Sequence, residues 1–124
     1  MAGMSVPVVM LPRFTTLCGK IVFETMAMDV SRYSGAELTA WRGAMAGTTA
    51  TYKVTCQEST DGTADSWTDC TGGAQATIPE DDQTQLSLTF VKRLFRLVVA
   101  LDTSDSSVPI ATCWISGFFV QRES

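Results

Sequence analysis

The chain has 124 residues, a formal net charge of −4 and no histidine, and 45% of its residues are hydrophobic. This length and composition fit one domain with a single apolar core. The charge argues against nucleic acid as the main partner, because phosphate binding needs clustered basic residues and the tightest group here is only Lys92, Arg93 and Arg96. The lack of histidine excludes catalysis by Ser/His/Asp or Cys/His arrangements.

The N-terminal segment, residues 1–18, is apolar and contains proline but lacks regular alternation. We expect it to be either a frayed end or an extended arm laid on a neighbouring molecule. An arm of this kind can add a strand or an apolar anchor to a partner. The candidate partner-binding residues are Val6, Val8, Val9, Met10 and Leu11.

Export and membrane insertion are not indicated by this segment. No Lys or Arg precedes Arg13, and Pro7 interrupts the apolar run, whereas a signal peptide needs a basic start and a continuous apolar region. No stretch approaches the roughly 20 apolar residues that span a bilayer. We therefore expect synthesis in the cytoplasm and no membrane partner.

From residue 20 onward, short runs of β-branched and aromatic residues alternate with turn-forming clusters, which is typical of strands joined by turns. In the clearest run, 51–58, Tyr52, Val54 and Cys56 share one face. The predicted strands are 20–28, 36–45, 51–58, 66–70, 84–91, 94–101 and 108–120. We predict an all-β, antiparallel β-sandwich or jelly-roll-like domain of about seven or eight strands at residues 19–124, preceded by the arm at 1–18.

Two positions in the later strands carry specific expectations. The run 94–101 contains good helix formers, but Val98 and Val99 and the polar turn that follows favour a strand. Gly117 lies inside the last run and is a candidate bulge or bend.

The strongest turn signal is Asp61-Gly62, which predicts a hairpin in which Gly62 takes a positive φ. Trp67 follows on the return strand and can cover the apolar face of the hairpin. We expect Arg93 or Arg96 to pair with Glu58 on an exposed face. All of these residues are interpreted as scaffold.

No catalytic residue, metal ligand or cofactor site is predicted. The acidic residues lie mainly in turns, and the cluster Glu80-Asp81-Asp82 lacks the spacing of a calcium loop, so a solvated loop is favoured. The four cysteines form no C-x-x-C pair, and Cys56 and Cys113 lie in strand patterns, which favours free thiols in the core.

The large aromatic side chains have two interpretations. Trp41, Trp67 and Trp114, together with Tyr52, can fill a core or an interface, which is the favoured use of such residues at strand positions. The alternative is an exposed platform on which sugars stack.

Part of the chain resembles a known group of proteins. The pattern E-S-x-D-G at the end of a strand is followed by a tryptophan and then by R-x-x-R in a later strand; the residues that carry it are Val54, Glu58, Ser59, Asp61, Gly62, Trp67, Arg93 and Arg96. This pattern resembles that of small virion proteins of tailed phages and prophages.

The resemblance implies a β-sandwich that decorates or cements the capsid surface. Its partners would be the major capsid protein and other virion proteins, and it would act without chemistry, as a homo-oligomer such as a trimer. Two alternatives stay open: a carbohydrate-binding module on the virion or tail, and a head-completion or tail protein that forms a ring.

Overall fold

A computed structural model describes residues 4–46 and 49–122. These residues form ten strands and no helix. The strands are β1 (Ser5–Cys18), β2 (Ile21–Glu24), β3 (Met28–Asp29), β4 (Tyr33–Arg42), β5 (Thr51–Ser59), β6 (Thr68–Asp69), β7 (Ala76–Thr77), β8 (Gln83–Thr89), β9 (Leu94–Asp102) and β10 (Ile110–Gln121). The first three residues of the predicted arm, and residues 47, 48, 123 and 124 of the predicted domain, lie outside the described residues.

The strands form two antiparallel sheets. The four-stranded sheet has the order β1-β10-β4-β8. The six-stranded sheet has the order β2-β9-β5-β6, and in it β3 also pairs with β9 and β7 with β5. The predicted all-β, antiparallel fold class is confirmed.

Alternating apolar residues from both sheets build one core. Leu38 and Ile115 face inward from the four-stranded sheet, and Tyr52, Leu97 and Val99 face inward from the other; all of these side chains are fully buried. Burying a side chain of this size contributes about 1.5–3 kcal/mol. The period-2 patterns in β5 and β9 therefore set which face of the six-stranded sheet packs against the core. The predicted strand at 94–101 is confirmed.

The short strands differ from the predicted ones in their bounds. The predicted run 20–28 is divided into β2 and the two-residue β3, and the predicted strand 66–70 is reduced to the two residues of β6. The two-residue β7 lies in a stretch for which no strand is predicted. Gly117 is not a bulge, because it pairs in regular register with Leu38 of β4. A Cβ at this position would lie 2.0 Å from the backbone oxygen of Glu37, so glycine is needed for the close approach of β4 and β10.

The segment that the sequence separates as an arm forms β1. Residues Ser5–Cys18 pair with β10 in the chain's own four-stranded sheet, and Leu11 belongs to the core. The strand forms because its inward side chains cover apolar surface that β10 alone leaves open. The predicted boundary between the arm (1–18) and the domain (19–124) thus falls at the end of an edge strand.

Candidate interaction surface

The outward face of the four-stranded sheet is divided into a polar and an apolar half. The polar half lies on β4 and β8. Glu37 Oε2 accepts hydrogen bonds from Ser87 Oγ at 2.6 Å and from Gln85 Nε2 at 3.0 Å. Thr39 Oγ1 donates to Gln85 Oε1 at 3.0 Å. This network fixes the side chains across the two strands.

The apolar half lies on β1 and β10. Pro7 pairs with Phe118, and Val9 pairs with Ser116 one step further along the same face. Val9 is 64% exposed and Phe118 is 39% exposed. We call Pro7, Val9 and Phe118 the apolar patch.

A bulge in β1 interrupts this face. Leu11 pairs with Ile115 and Thr15 with Cys113, so β1 carries extra residues at this point. Thr15 Oγ1 donates to the Pro12 backbone oxygen at 2.6 Å, which holds the bulge together. Phe14, within it, has a φ of 67° and a side chain that is 87% exposed.

The bulge forms one wall of a pocket beside two stacked tryptophans. The rings of Trp41 and Trp114 lie 6.4 Å apart with an angle of 15° between their planes. The Arg13 guanidinium carbon lies 4.6 Å from the centre of the Trp114 ring, a cation–π distance. The pocket has a volume of about 290 Å³ and is lined by Arg13, Phe14, Trp41, Gln83, Thr112 and Trp114. We call it the aromatic pocket.

The predicted partner-binding residues differ in their exposure. Leu11 is buried in the core, and Val8 and Met10 pack against it. Val6 is half-buried and pairs with the buried Phe119. Only Val9, among these predicted residues, has most of its surface free for a partner. Whether any of them contacts another molecule stays a prediction.

The predicted hairpin turn is present after β5. Gly62 has a φ of 77°, as expected. Its N–H donates to Ser59 Oγ at 2.8 Å, and the N–H of Thr63 donates to Asp61 Oδ1 at 3.1 Å. This second hydrogen bond is the main cause of the lowered pKa of Asp61. Asp61 and Gly62 therefore stabilise the turn in which they lie.

The predicted pairing of Glu58 with an arginine is wrong. Glu58 is buried, and its Oε1 accepts the backbone N–H groups of Val91 at 2.8 Å and Lys92 at 3.1 Å. These two backbone N–H donors stabilise the Glu58 carboxylate, which lies beside the loop before β9, better than a solvated arginine side chain would. Sequence patterns do not reveal such a contact, because the donors are backbone groups far along the chain.

The two arginines of the motif pair elsewhere. Arg96 lies 2.6 Å from Glu24 and 4.3 Å from the centre of the Trp67 ring. Arg93 lies 3.5 Å from Asp29, with both side chains more than half exposed. Trp67 is thus covered by Arg96 on the six-stranded sheet.

The four candidate sugar-stacking aromatics do not form one platform. Trp41 and Trp114 meet on the four-stranded sheet, Trp67 lies on the other sheet, and Tyr52 is fully buried in the core. Sequence reasoning named Trp41 and Trp114 as candidates but not as a pair, and it missed Arg13 and the other residues that line the pocket. The sequence does contain one signal for the bulge that brings Arg13 to the pocket: at Leu11-Pro12 a proline interrupts an apolar run.

The cysteines and acidic residues form no metal centre within residues 4–46 and 49–122. All four cysteines are free; Cys56, Cys70 and Cys113 are buried and Cys18 is exposed. The expected free core thiols at Cys56 and Cys113 are confirmed, and burial raises the pKa of Cys56 to about 12. Nor do the described ranges contain a helix that is long and apolar enough to cross a membrane.

Comparisons with known proteins give little further information. No family model matches the chain, and no curated protein sequence matches it significantly. The fold is similar to part of a chain in the solved structure of infectious bursal disease virus, Gx strain, with a TM-score of 0.49 and 11% sequence identity, over 95% of this chain and 32% of that one. This chain thus spans about a third of the length of that chain. A similarity at this level carries no argument about function, and the all-β assignment rests on the strands and their pairing.

Proposed function

We propose that this chain is a structural protein of a tailed-phage virion, which binds major-capsid subunits on the capsid surface as a decoration or cement protein. It acts through protein contacts and without catalysis, and it assembles as a homo-oligomer such as a trimer. It is made in the host cytoplasm before assembly. The setting is supported by the resemblance carried by Glu58, Asp61, Gly62, Trp67 and the two arginines of R-x-x-R.

The observation that carries the binding role is the apolar patch. Exposed apolar side chains that lie side by side on a sheet face mark interaction sites more often than scattered ones do. Val9, Phe118 and Pro7 are neighbours across β1 and β10, and all three are exposed. Transfer of such surface from water into an interface contributes about 25 cal/mol per Å².

The polar half of the same face supports the proposal in a second way. Glu37, Gln85 and Ser87 are already hydrogen-bonded to one another, so they lose little side-chain freedom when a partner arrives. A stable contact usually buries about 1,200–2,000 Å² in total, which requires more surface than the apolar patch alone. We therefore propose that both halves contact the capsid.

A substitution in the apolar patch tests this role. Val9→Lys places a charge in the patch. The strand β1 should still form, because an edge strand tolerates lysine. Val22→Lys is a matched control, because Val22 is 67% exposed on an edge strand of the other sheet and Val9 is 64% exposed. Purified variants are mixed with particles of the encoding phage that lack this protein, and bound protein is measured by co-sedimentation.

We expect Val9→Lys to lose binding and Val22→Lys to bind as the wild-type protein does. Equal binding of both variants would overturn the role of the patch. Deletion of residues 2–13 is a poorer test, because it also removes Leu11 from the core and most of β1.

Location and copy number test the virion setting separately. Imaging of purified particles should show density for this chain at repeated sites over the capsid surface. A single ring at a head or tail opening would support the head-completion or tail alternative and would contradict decoration. Light scattering of the free protein measures the proposed homo-oligomer.

A further inference from the structure

We propose that the aromatic pocket binds a pyranose ring of a glycan. This site lies on the same sheet face as the apolar patch but uses different residues, so it goes beyond the proposed contact with the capsid. It rests on the pocket's own geometry and holds whether or not the chain decorates a capsid.

The first argument is the shape of the site. A row of side chains crosses the sheet from β1 to β8: Arg13 on the Trp114 ring, Trp114 beside Trp41, and Trp41 paired with Gln83. Phe14 lines the same pocket with an exposed ring. The volume of about 290 Å³ is at the lower end of that of small-molecule sites, which suits a single ring of a chain that continues into solvent.

The second argument is the conformation of Phe14. A φ of 67° is unfavourable for any residue with a Cβ, and at an exposed bulge glycine or asparagine would relieve it. Phenylalanine at this position also exposes 87% of its side chain to water. Both costs are explained if the ring contacts a ligand, and bulges commonly redirect a side chain next to a binding site.

The third argument is the match to sugar chemistry. A pyranose has an apolar C–H face, which stacks on aromatic rings, and a rim of hydroxyl groups that need hydrogen-bond partners. Phe14 and Trp41 offer the rings, while Arg13, Gln83 and Thr112 offer polar groups around them. The ion pairs within the described ranges join Arg93 to Asp29 and Arg96 to Glu24, so no described carboxylate neutralises Arg13.

A peptide fits the site less well than a sugar. Trp41 and Trp114, at the centre of the site, are paired residues of the two inner strands β4 and β10, whose backbone N–H and C=O groups are engaged with neighbouring strands. An extended peptide that lies across these two strands would find few free backbone groups there to pair with its own. We therefore assign the site to a glycan and treat peptide binding as a contrary result.

The test uses the full chain and a panel of neutral and uronate-containing oligosaccharides. Binding is measured by calorimetry and by tryptophan fluorescence. Phe14→Gly and Arg13→Ala should each weaken binding by roughly tenfold or more, the loss of one good contact. Phe14→Gly should also raise the melting temperature, because glycine accepts the positive φ, so a loss of binding cannot be ascribed to unfolding.

Trp67→Phe is the matched control, since Trp67 also lies under an arginine but on the other sheet. It should leave both binding and the fluorescence response in place. A preference for uronates that Arg13→Ala removes would show that Arg13 pairs with a carboxylate, whereas equal binding of neutral sugars would assign it to hydroxyl groups. Absence of binding to the whole panel, binding that Phe14→Gly and Arg13→Ala leave unchanged, or selection of peptides in place of sugars would overturn the proposal.

Discussion

Replacement of Glu58 tests how a buried carboxylate holds two distant segments together. Glu58→Ala removes the acceptor of the N–H groups of Val91 and Lys92. A hydrogen bond to a charged group contributes about 1.5–3 kcal/mol. Because these donors are only partly buried and water can reach them, the lower value applies to each, and we expect the free energy of unfolding to fall by about 3 kcal/mol.

Glu58→Gln should be much milder. Both N–H groups donate to the same oxygen, Oε1, so a glutamine carbonyl oxygen can accept both. The loss is then limited to the charge, about 1 kcal/mol. Urea unfolding followed by tryptophan fluorescence measures both variants, with an unchanged slope showing that the unfolded state is the same.

The outcome that contradicts this reasoning is equal destabilisation by Gln and Ala. That result would mean that the charge of Glu58, and not the position of its oxygen, stabilises the fold. Arg93→Ala serves as a control, because Arg93 pairs with exposed Asp29 and not with Glu58, and exposed pairs contribute about 0–1 kcal/mol.

Three further predictions concern other parts of the chain. Gly117→Ala should lower the free energy of unfolding by about 3 kcal/mol, because its Cβ would lie 2.0 Å from the Glu37 backbone oxygen; a melting temperature like that of the wild type would refute this. A thiol reagent should modify one cysteine, Cys18, in the native protein and all four after unfolding, because the other three are buried. Hydrogen bonds from Ser107 lower the pKa of Asp105 to about 2 from 3.8, so its contribution to stability is present above pH 3.8 and is lost as the pH falls towards 2. Protection from amide exchange in residues 103–107, measured relative to the intrinsic exchange rate at each pH, should therefore fall in that range and should stay constant in Asp105→Asn.

The sequence is informative wherever burial alternates strictly. In β5 and β9 every second residue faces the core, and the pattern therefore identifies both the strands and their inner faces. It does not give the bounds of β3 and β6, which overlap longer predicted runs, and it does not predict β7, because two residues show no period. It is misleading for β1, where the bulge between Leu11 and Thr15 shifts the register and hides the alternation of an ordinary strand.

The candidate site was only partly predictable for a related reason. Trp41 and Trp114 could be named as candidates because large aromatic residues are rare and conspicuous. Their pairing depends on the register of β4 against β10, which the local sequence does not contain. Arg13 reaches Trp114 only through the bulge, so no spacing rule links the two residues.

The pairing of the first strand with the last has a consequence for how the protein is made. Ser5 lies opposite Val120, so the four-stranded sheet cannot close until the ribosome has released almost all of β10. Until then the edge of β4 that β10 will occupy and the apolar side chains of β1 are open to other nascent chains. Pro7 and Pro12 interrupt the row of backbone donors along β1, which limits such mispairing. A chaperone that holds the nascent chain through this interval should raise the yield of folded protein more than slower translation does.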